Sequence, residues 1–463
     1  MGLKAYTDDE RSDDYSWTKD DRAFEVLRAP VLWELVRALP QREEDGPGRP
    51  NEYHLSVYVL CMLLVVARGS HRAAASWMGK RHVWRKIRKV WAKRGIDLPI
   101  HGPTRGQCLY NRDAHLVPHW EKLIEVFEID AVRRAQEHGM LVSSVTKTPN
   151  PPRNCIVSAD GTVPAMPMRR EVLKKRKAAG LHIDYEHHTE GGGHPVDGLK
   201  FYLQSARLID ENGDARPNSR MILGLALVPK KGAGGEAGIA VCKLLELKKR
   251  AAGMLGVRYD GALRGVHLDE LMKAGLAVVN PPHEQTAGRE AFARVTCEHV
   301  DKTTGVICDH TTTLYKENGA LGVLEVLADD KVTVLFHGLP RKVYARGNAP
   351  AVRWYVDLTL PCGHAHTELL TSSKDDARTG FNRPEHLRMH PPGTPVYDKT
   401  YGWRNDAESS HSQLDDWLYR GRMVALTAER QALVMLSFAV THNAVADWHH
   451  RQRQRGQALT PAA

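Results

Sequence analysis

Apolar positions recur at helical spacing through the first third of the chain and at strand spacing after it. From Asp21 to about Gly139 the runs AFEVLRAPVLWELVRAL, HLSVYVLCMLLVVA, SHRAAASWMG, RHVWRKIRKVWAKRG and HWEKLIEVFEIDAVRRAQEHG are separated by Gly and Pro breaks, which predicts an all-α region over residues 22–146. Residues 1–21 lack that period and read as a mobile arm. The longest apolar run, Leu55 to Ala67, is too short to span a bilayer and reads as a buried helix. The Pro-rich Lys147 to Arg153 reads as a linker.

Beyond the linker the period changes. Cys155 to Ser158, Leu199 to Ile209, Met221 to Val228, Gly256 to Asp260 and Leu276 to Val279 read as strands, with helices over Gly238 to Ala252 and His267 to Ala274. That order predicts an α/β fold with a mixed sheet and an antiparallel hairpin portion, its first part over 154–282. Residues 283–395 carry short strand-like runs, Gly322 to Leu327, Val332 to Phe336 and Val352 to Leu360, and read as a β-rich insertion. Residues 396–450 return to helix, and 451–463 form a basic, frayed tail. Within the helical return, Thr400 to Asp416 read as one helix puts Tyr401, Arg404 and Glu408 on a single face.

Composition narrows the class. The chain has 463 residues, 42% hydrophobic and 26% charged, enough for two or three domains with a large core. A net charge of +10 points to a polyanionic partner, nucleic acid first. Seven scattered cysteines are not a secreted disulfide framework, and no export signal opens the chain, so a reducing cytoplasmic location is expected. The segment Gly69 to Arg94 has the form of a helix-turn-helix whose second helix carries Arg85, Lys86, Arg88 and Lys89. Its alternative reading is a helix pair packed on Trp77, Trp84 and Trp91 with a solvated basic face.

Asp160 and Asp260 each end a predicted strand, where α/β proteins present functional groups. With Glu408 they would make three carboxylates, the donor set that holds divalent cations such as Mg²⁺ for in-line displacement at phosphorus. Asp160-Gly161-Thr162, Tyr259-Asp260 and the later Tyr401-x-x-Arg404-x-x-x-Glu408 resemble the DDE transposases of bacterial insertion sequences that carry a Tyr-x₂-Arg-x₃-Glu-x₆-Lys signature. The resemblance covers roughly residues 150–450. It implies a ribonuclease-H-like core with the first Asp on the first strand, the second Asp after the fourth and Glu on a later helix. It also implies cleavage and strand transfer at the ends of a mobile element, with Asp160, Asp260 and Glu408 ligating Mg²⁺ or Mn²⁺. The expected partner is double-stranded DNA, element ends and target, bound by a homodimer beside the bacterial nucleoid. Tyr401 and Arg404 would contact backbone phosphate. The signature lysine position holds Asp415 instead. Arg420 and Arg422 lie near enough to substitute, and Arg264 is a further candidate DNA contact. Two rivals remain: a transposase-derived DNA-binding protein without catalysis, favoured by Asp415, and a ribonuclease-H-like nuclease that cuts without strand transfer.

The insertion concentrates Cys297-x-His299, Cys308-x-His310 and Cys362-x-His364-x-His366. Tetrahedral Zn²⁺ takes four such ligands, and Cys297, Cys308 and Cys362 with one of His299, His310 or His364 form a candidate structural site, His364 being the preferred histidine. Each Cys-x-His pair is read as dividing between the two faces of its strand, which counts against the site. His182, His187, His188 and His194 fall in a Gly-rich stretch read as a hairpin loop rather than a metal site.

Overall fold

The strand runs that follow residue 155 pair into a five-stranded mixed sheet in the order β5-β4-β1-β6-β7. In the computed structural model these are β1 (Ile156–Thr162), β4 (Phe201–Ala206), β5 (Met221–Leu227), β6 (Gly256–Arg258) and β7 (Ala277–Val279), while β2 (Glu186–Thr189) and β3 (Pro195–Gly198) form a separate hairpin. The structure describes residues 17–40, 53–144, 149–189, 194–229, 235–300, 305, 307–326, 332–336, 338–344 and 352–459. Most of the expected N-terminal arm, the start of the linker at Lys147, Gly191 to Gly193 of the His-rich hairpin and the last four residues of the tail lie outside them. The fold is mixed α/β, and the chain forms two compact units.

The first unit combines residues 1–139, 161–230 and 407–463. Its helices are α1 (Lys19–Arg28), α2 (Val31–Ala38), α3 (Leu55–Arg68), α4 (His71–Met78), α5 (Arg81–Ala92), α6 (Arg105–Asn111), α7 (Trp120–Glu137) and α8 (Arg170–Ala178), with the final α16 (Ala428–Leu459). Leu55 through Ala67 are all buried, because a helix apolar on every side is stable only inside a core. Gly69, at φ +88°, ends that helix in a left-handed conformation that a Cβ would strain. Ser437 of α16 reaches α3, its Oγ donating to the Leu63 carbonyl at 2.7 Å and accepting from the Val66 N–H at 3.0 Å. Asn443, a turn and a half further on, accepts from the Ile222 N–H and donates to the Ile222 carbonyl, both at 2.8 Å. Glu128 of α7 accepts from the Leu225 N–H. Side chains of α16 and α7 thus satisfy the backbone of edge strand β5, which would otherwise be open to a foreign strand. The expected frayed tail is helical as far as Leu459. No single described helix is long and apolar enough to cross a membrane, and α3 and α4 meet at a 118° bend.

The second unit combines residues 140–160 and 231–406. Here β1, β6 and β7 are parallel, with Ser158 opposite Arg258 and Arg258 opposite Val279. The helices α9 (Glu236–Arg250) and α10 (Gly265–Lys273) connect them, as parallel strands require. The insertion is β-rich as expected, with β8 (Glu290–Val300), β9 (Ile307–Glu317), β10 (Ala320–Val326) and β11 (Val332–Phe336) in one antiparallel sheet. A second sheet holds β12 (Leu339–Tyr344), β13 (Val352–Thr359) and β14 (Ala365–Leu369), and the short helices α11 (Glu284–Ala287), α12 (Lys374–Thr379) and α13 (Arg383–His386) complete the insertion. The long pair β8 and β9 was not anticipated, because β8 buries only Val295 and Cys297 and shows no apolar alternation to read. Trp354 donates its indole N–H to the Met272 carbonyl at 2.8 Å and Lys342 donates to the Gly275 carbonyl at 2.7 Å, seating β12 and β13 on the end of α10.

Histidines held neutral give the first unit an acid limit. Burial and the Arg112, Arg105 and Arg430 guanidiniums push His71 down to about 3, and burial with Arg453 pushes His449 to about 4. A base whose folded pKa is depressed contributes stability that is complete above its unfolded value, near 6.5, and is lost as pH falls toward the folded value. Urea unfolding midpoints are expected to fall between pH 6.5 and 4. His71→Gln is expected to make that fall shallower by about 1.4 kcal/mol per pH unit.

Candidate active site and metal centre

The register of β1 and β6 aligns the two predicted aspartates. Each lies two residues beyond the pair Ser158 and Arg258, on parallel neighbours whose backbones run about 4.8 Å apart. Asp160 is buried within β1, which runs two residues past it to Thr162 and so does not end there as expected, while Asp260 is half-buried and accepts from the Ala262 N–H at 2.9 Å, an Asx turn that folds the loop after β6. Arg404 donates to Asp160 Oδ2 at 3.3 Å. The Tyr401 phenol lies in the same field. Burial raises its pKa, Arg404 opposes that, and the carboxylates of Asp260 and Asp160 reinforce it. Tyr397 stacks on Tyr401 with centroids 5.0 Å apart and planes 15° from parallel. Four of the predicted site residues, Asp160, Asp260, Tyr401 and Arg404, therefore share one locality in the second unit.

The helix expected over Thr400 to Asp416 is two helices. α14 (Pro395–Gly402) stops at Gly402, and α15 (Asn405–Trp417) begins after a two-residue turn. The Trp403 and Arg404 amides bond back to the carbonyls of Thr400 and Tyr401, tightening the last turn instead of continuing it. What the break achieves is capture of Trp403. The guanidinium of Arg153 lies 5.0 Å and that of Arg258 5.2 Å from its ring centroid. Asp406 accepts from Arg153 at 2.9 Å and lies 3.7 Å from Arg258, which has no exposed surface. Tyr401, Arg404 and Glu408 consequently do not form one helical face. Sequence reasoning passed over Arg153, Arg258, Trp403 and Asp406. The available signal was Arg258 inside an otherwise apolar strand, a charge that must be paired when buried.

Glu408 lies in the first turns of α15 with its side chain exposed, and Asp415 lies later in the same helix. The next residue, Ser409, accepts a hydrogen bond from Arg220 at the entrance to β5. Arg207, Asn218, Arg220, Ser409, Gln413 and His442 line a cavity of about 120 Å³ there. Arg420 stands at φ +56° in the turn after α15 with its guanidinium 5.2 Å from the Tyr419 ring centroid. Arg264 caps α10 and is ion-paired with Glu385 at 2.6 Å, so its charge is already matched. On α5, Trp84 and Trp91 face inward while Arg85, Lys86 and Lys89 are exposed and Arg88 donates to the Leu98 carbonyl at 2.9 Å. The tryptophan-packed reading and the basic-face reading of that helix are thus two sides of one element.

The cysteines of the insertion converge. Cys297, His310 and Cys362 have ligand atoms within 4.8 Å of one another, and so do His299, Cys308 and Cys362. The expectation that each Cys-x-His pair divides between two faces is wrong, since residues two apart on a strand share a face. His364 belongs to neither group. Its ring lies 5.6 Å from that of His299, and its backbone N–H hydrogen-bonds the Cys362 sulfur. His187 of the His-rich hairpin bonds Asp197 at 3.2 Å across β2 and β3, as a structural residue does.

No known family model and no curated protein matches the chain. The geometry itself generates a test of what holds the turn. Asp406→Asn removes the carboxylate that accepts from Arg153 and lies 3.7 Å from the buried Arg258, and a loss of about 3–5 kcal/mol in unfolding free energy is expected. A loss under about 1 kcal/mol would show that the ion pairs do not hold Trp403 in place.

Proposed function

We propose that the chain is a DNA transposase of the DDE type, cutting phosphodiester bonds at the ends of a mobile element and joining the freed end to target DNA. The register of β1 and β6 supports the reading, because Asp160 and Asp260 each follow the paired Ser158 and Arg258 by two residues. Counting the sheet strands in chain order, β1 is the first and β6 the fourth, which is where a ribonuclease-H-like core of this family carries its two aspartates. Glu408 is assigned as the third carboxylate from its place in the Tyr401, Arg404, Glu408 motif. The all-oxygen donor set suits Mg²⁺ or Mn²⁺, and such cations, when bound, supply activation of the attacking oxygen and stabilisation of the leaving one. The chain's own part is to hold those carboxylates, and to present Arg404 and Tyr401 to a backbone phosphate. A guanidinium fork suits that oxyanion in a way an ammonium does not. The +10 charge and the exposed cations of α5 supply the attraction for the polyanion, and a homodimer would pair two DNA ends.

A second reading, a DNA-binding protein without catalysis, is favoured by Asp415 in place of the signature lysine. Purified protein with Mn²⁺ and supercoiled DNA separates the two. Wild type is expected to nick, and Asp160→Asn, Asp260→Asn and Glu408→Gln are each expected to fall to at most about a hundredth of that rate while still binding DNA. A wild type that binds without nicking supports the second reading, and a triple variant that nicks normally refutes the assignment. Alanine at Arg85, Lys86, Arg88 and Lys89 together is expected to weaken DNA binding and flatten its salt dependence by about 0.9 in log–log slope for each phosphate no longer neutralised. Unchanged affinity would remove α5 from the DNA interface.

A further inference from the structure

We propose that the insertion binds one structural Zn²⁺ through the thiolates of Cys297, Cys308 and Cys362 and through Nδ1 of His299. The proposal does not depend on the transposase reading. Its first support is the register of β8 and β9, in which Cys297 stands opposite His310 and His299 opposite Cys308. Cross-strand partners share a face, and so do residues two apart, so all four side chains project from the same side of the hairpin. The third sulfur arrives from elsewhere. Cys362 lies in the turn between β13 and β14, in the other antiparallel sheet, and its ligand atom is within 4.8 Å of the donors in both groups. In a tetrahedral site with bonds of about 2.0–2.3 Å the donor atoms lie about 3.5–3.8 Å apart, so each three-residue group needs to contract by about an ångström or less to close on an ion.

His299 is singled out by its hydrogen bonding. Its Nε2 lies 2.7 Å from the Cys362 carbonyl oxygen, which only accepts, so Nε2 carries the proton and Nδ1 carries the lone pair. That Nδ1 is buried and has no hydrogen-bond partner among the described residues. A buried lone pair left unmet is costly, and an imidazole that donates one nitrogen to a carbonyl while offering the other to a metal is the usual arrangement of a histidine ligand. His310, whose Nδ1 lies 3.1 Å from the Cys308 sulfur and which groups with Cys297 and Cys362, is the competing fourth ligand, and the choice of His299 rests on its Nδ1. Gly363, at φ +82°, turns the chain so that the His364 amide meets the Cys362 sulfur, a main-chain bond that favours a thiolate. His364 thus serves through its backbone, not its ring.

Four protein ligands leave no open position, so the ion would be a staple between two sheets rather than a catalytic centre. Binding releases the thiol protons to solvent and adds its free energy to folding. The test is metal analysis of the full-length protein, purified without a polyhistidine tag from zinc-supplemented medium. One zinc per chain is expected, with Cys308 and Cys362 protected from alkylation until a chelator is added, a readout that needs no variant. Cys297→Ser, Cys362→Ser and His299→Ala are expected to lose the zinc, and His364→Ala to keep it. Wild type without zinc, or with Cys308 and Cys362 alkylating equally before and after chelation, overturns the site. Zinc kept by His299→Ala and lost by His310→Ala overturns the choice of the fourth ligand.

Discussion

Parallel pairing of β1 with β6 is the constraint from which the site follows. It sets Ser158 opposite Arg258, with Asp160 and Asp260 each two residues further along the chain. It also buries Arg258 completely, two residues before Asp260. A guanidinium with no exposed surface needs a counter-charge and a face to lie on, and Asp406 and Trp403 supply them. Those two residues flank Arg404 on either side along the chain. The need to neutralise a charge beneath the sheet therefore fixes the turn that carries Arg404 to Asp160 and sets Tyr401 in the field of both aspartates.

Much of this was legible in the sequence, and the gaps have physical causes. The parallel strands stand out because they are buried on both faces and read as unbroken apolar runs, as in Ala277 to Val279. Leu55 to Ala67 is equally plain, since apolar residues all round a helix have only the core to go to. The break at Gly402 was not legible. Asn405 to Trp417 has good helical composition, and Trp403, just past the end of α14, lies against Arg153 and Arg258, 250 and 145 residues earlier in the chain, contacts that local sequence does not announce. β8 and β9 escaped notice because Thr, Glu and Asp occupy positions where a half-buried strand would alternate. Asp260 follows its strand as its sequence position suggests and Asp160 lies inside β1, whereas the residues that hold the neighbouring turn carry no motif.

The insertion obeys a different economy from the sheet. Strand β8 buries only Val295 and Cys297, whereas β13 buries Val352, Trp354, Val356 and Leu358, and polar contacts add to that packing: the indole of Trp354 on the Met272 carbonyl, the ammonium of Lys342 on the Gly275 carbonyl and the buried guanidinium of Arg388 on the carbonyls of Asn280 and Pro384. A strand that buries as little as β8 gains most from a metal cross-link, which is the setting in which three converging cysteines and a histidine whose Nδ1 meets no described donor make physical sense.

The central claim is that Asp160 and Asp260 share a divalent cation. Titrating Mn²⁺ into the protein and following the free-ion signal by electron paramagnetic resonance tests it most directly. The account predicts that wild type removes Mn²⁺ from solution while Asp160→Asn and Asp260→Asn each weaken that binding by at least about tenfold. Variants that bind Mn²⁺ as tightly as wild type, or a wild type that binds none, would contradict it.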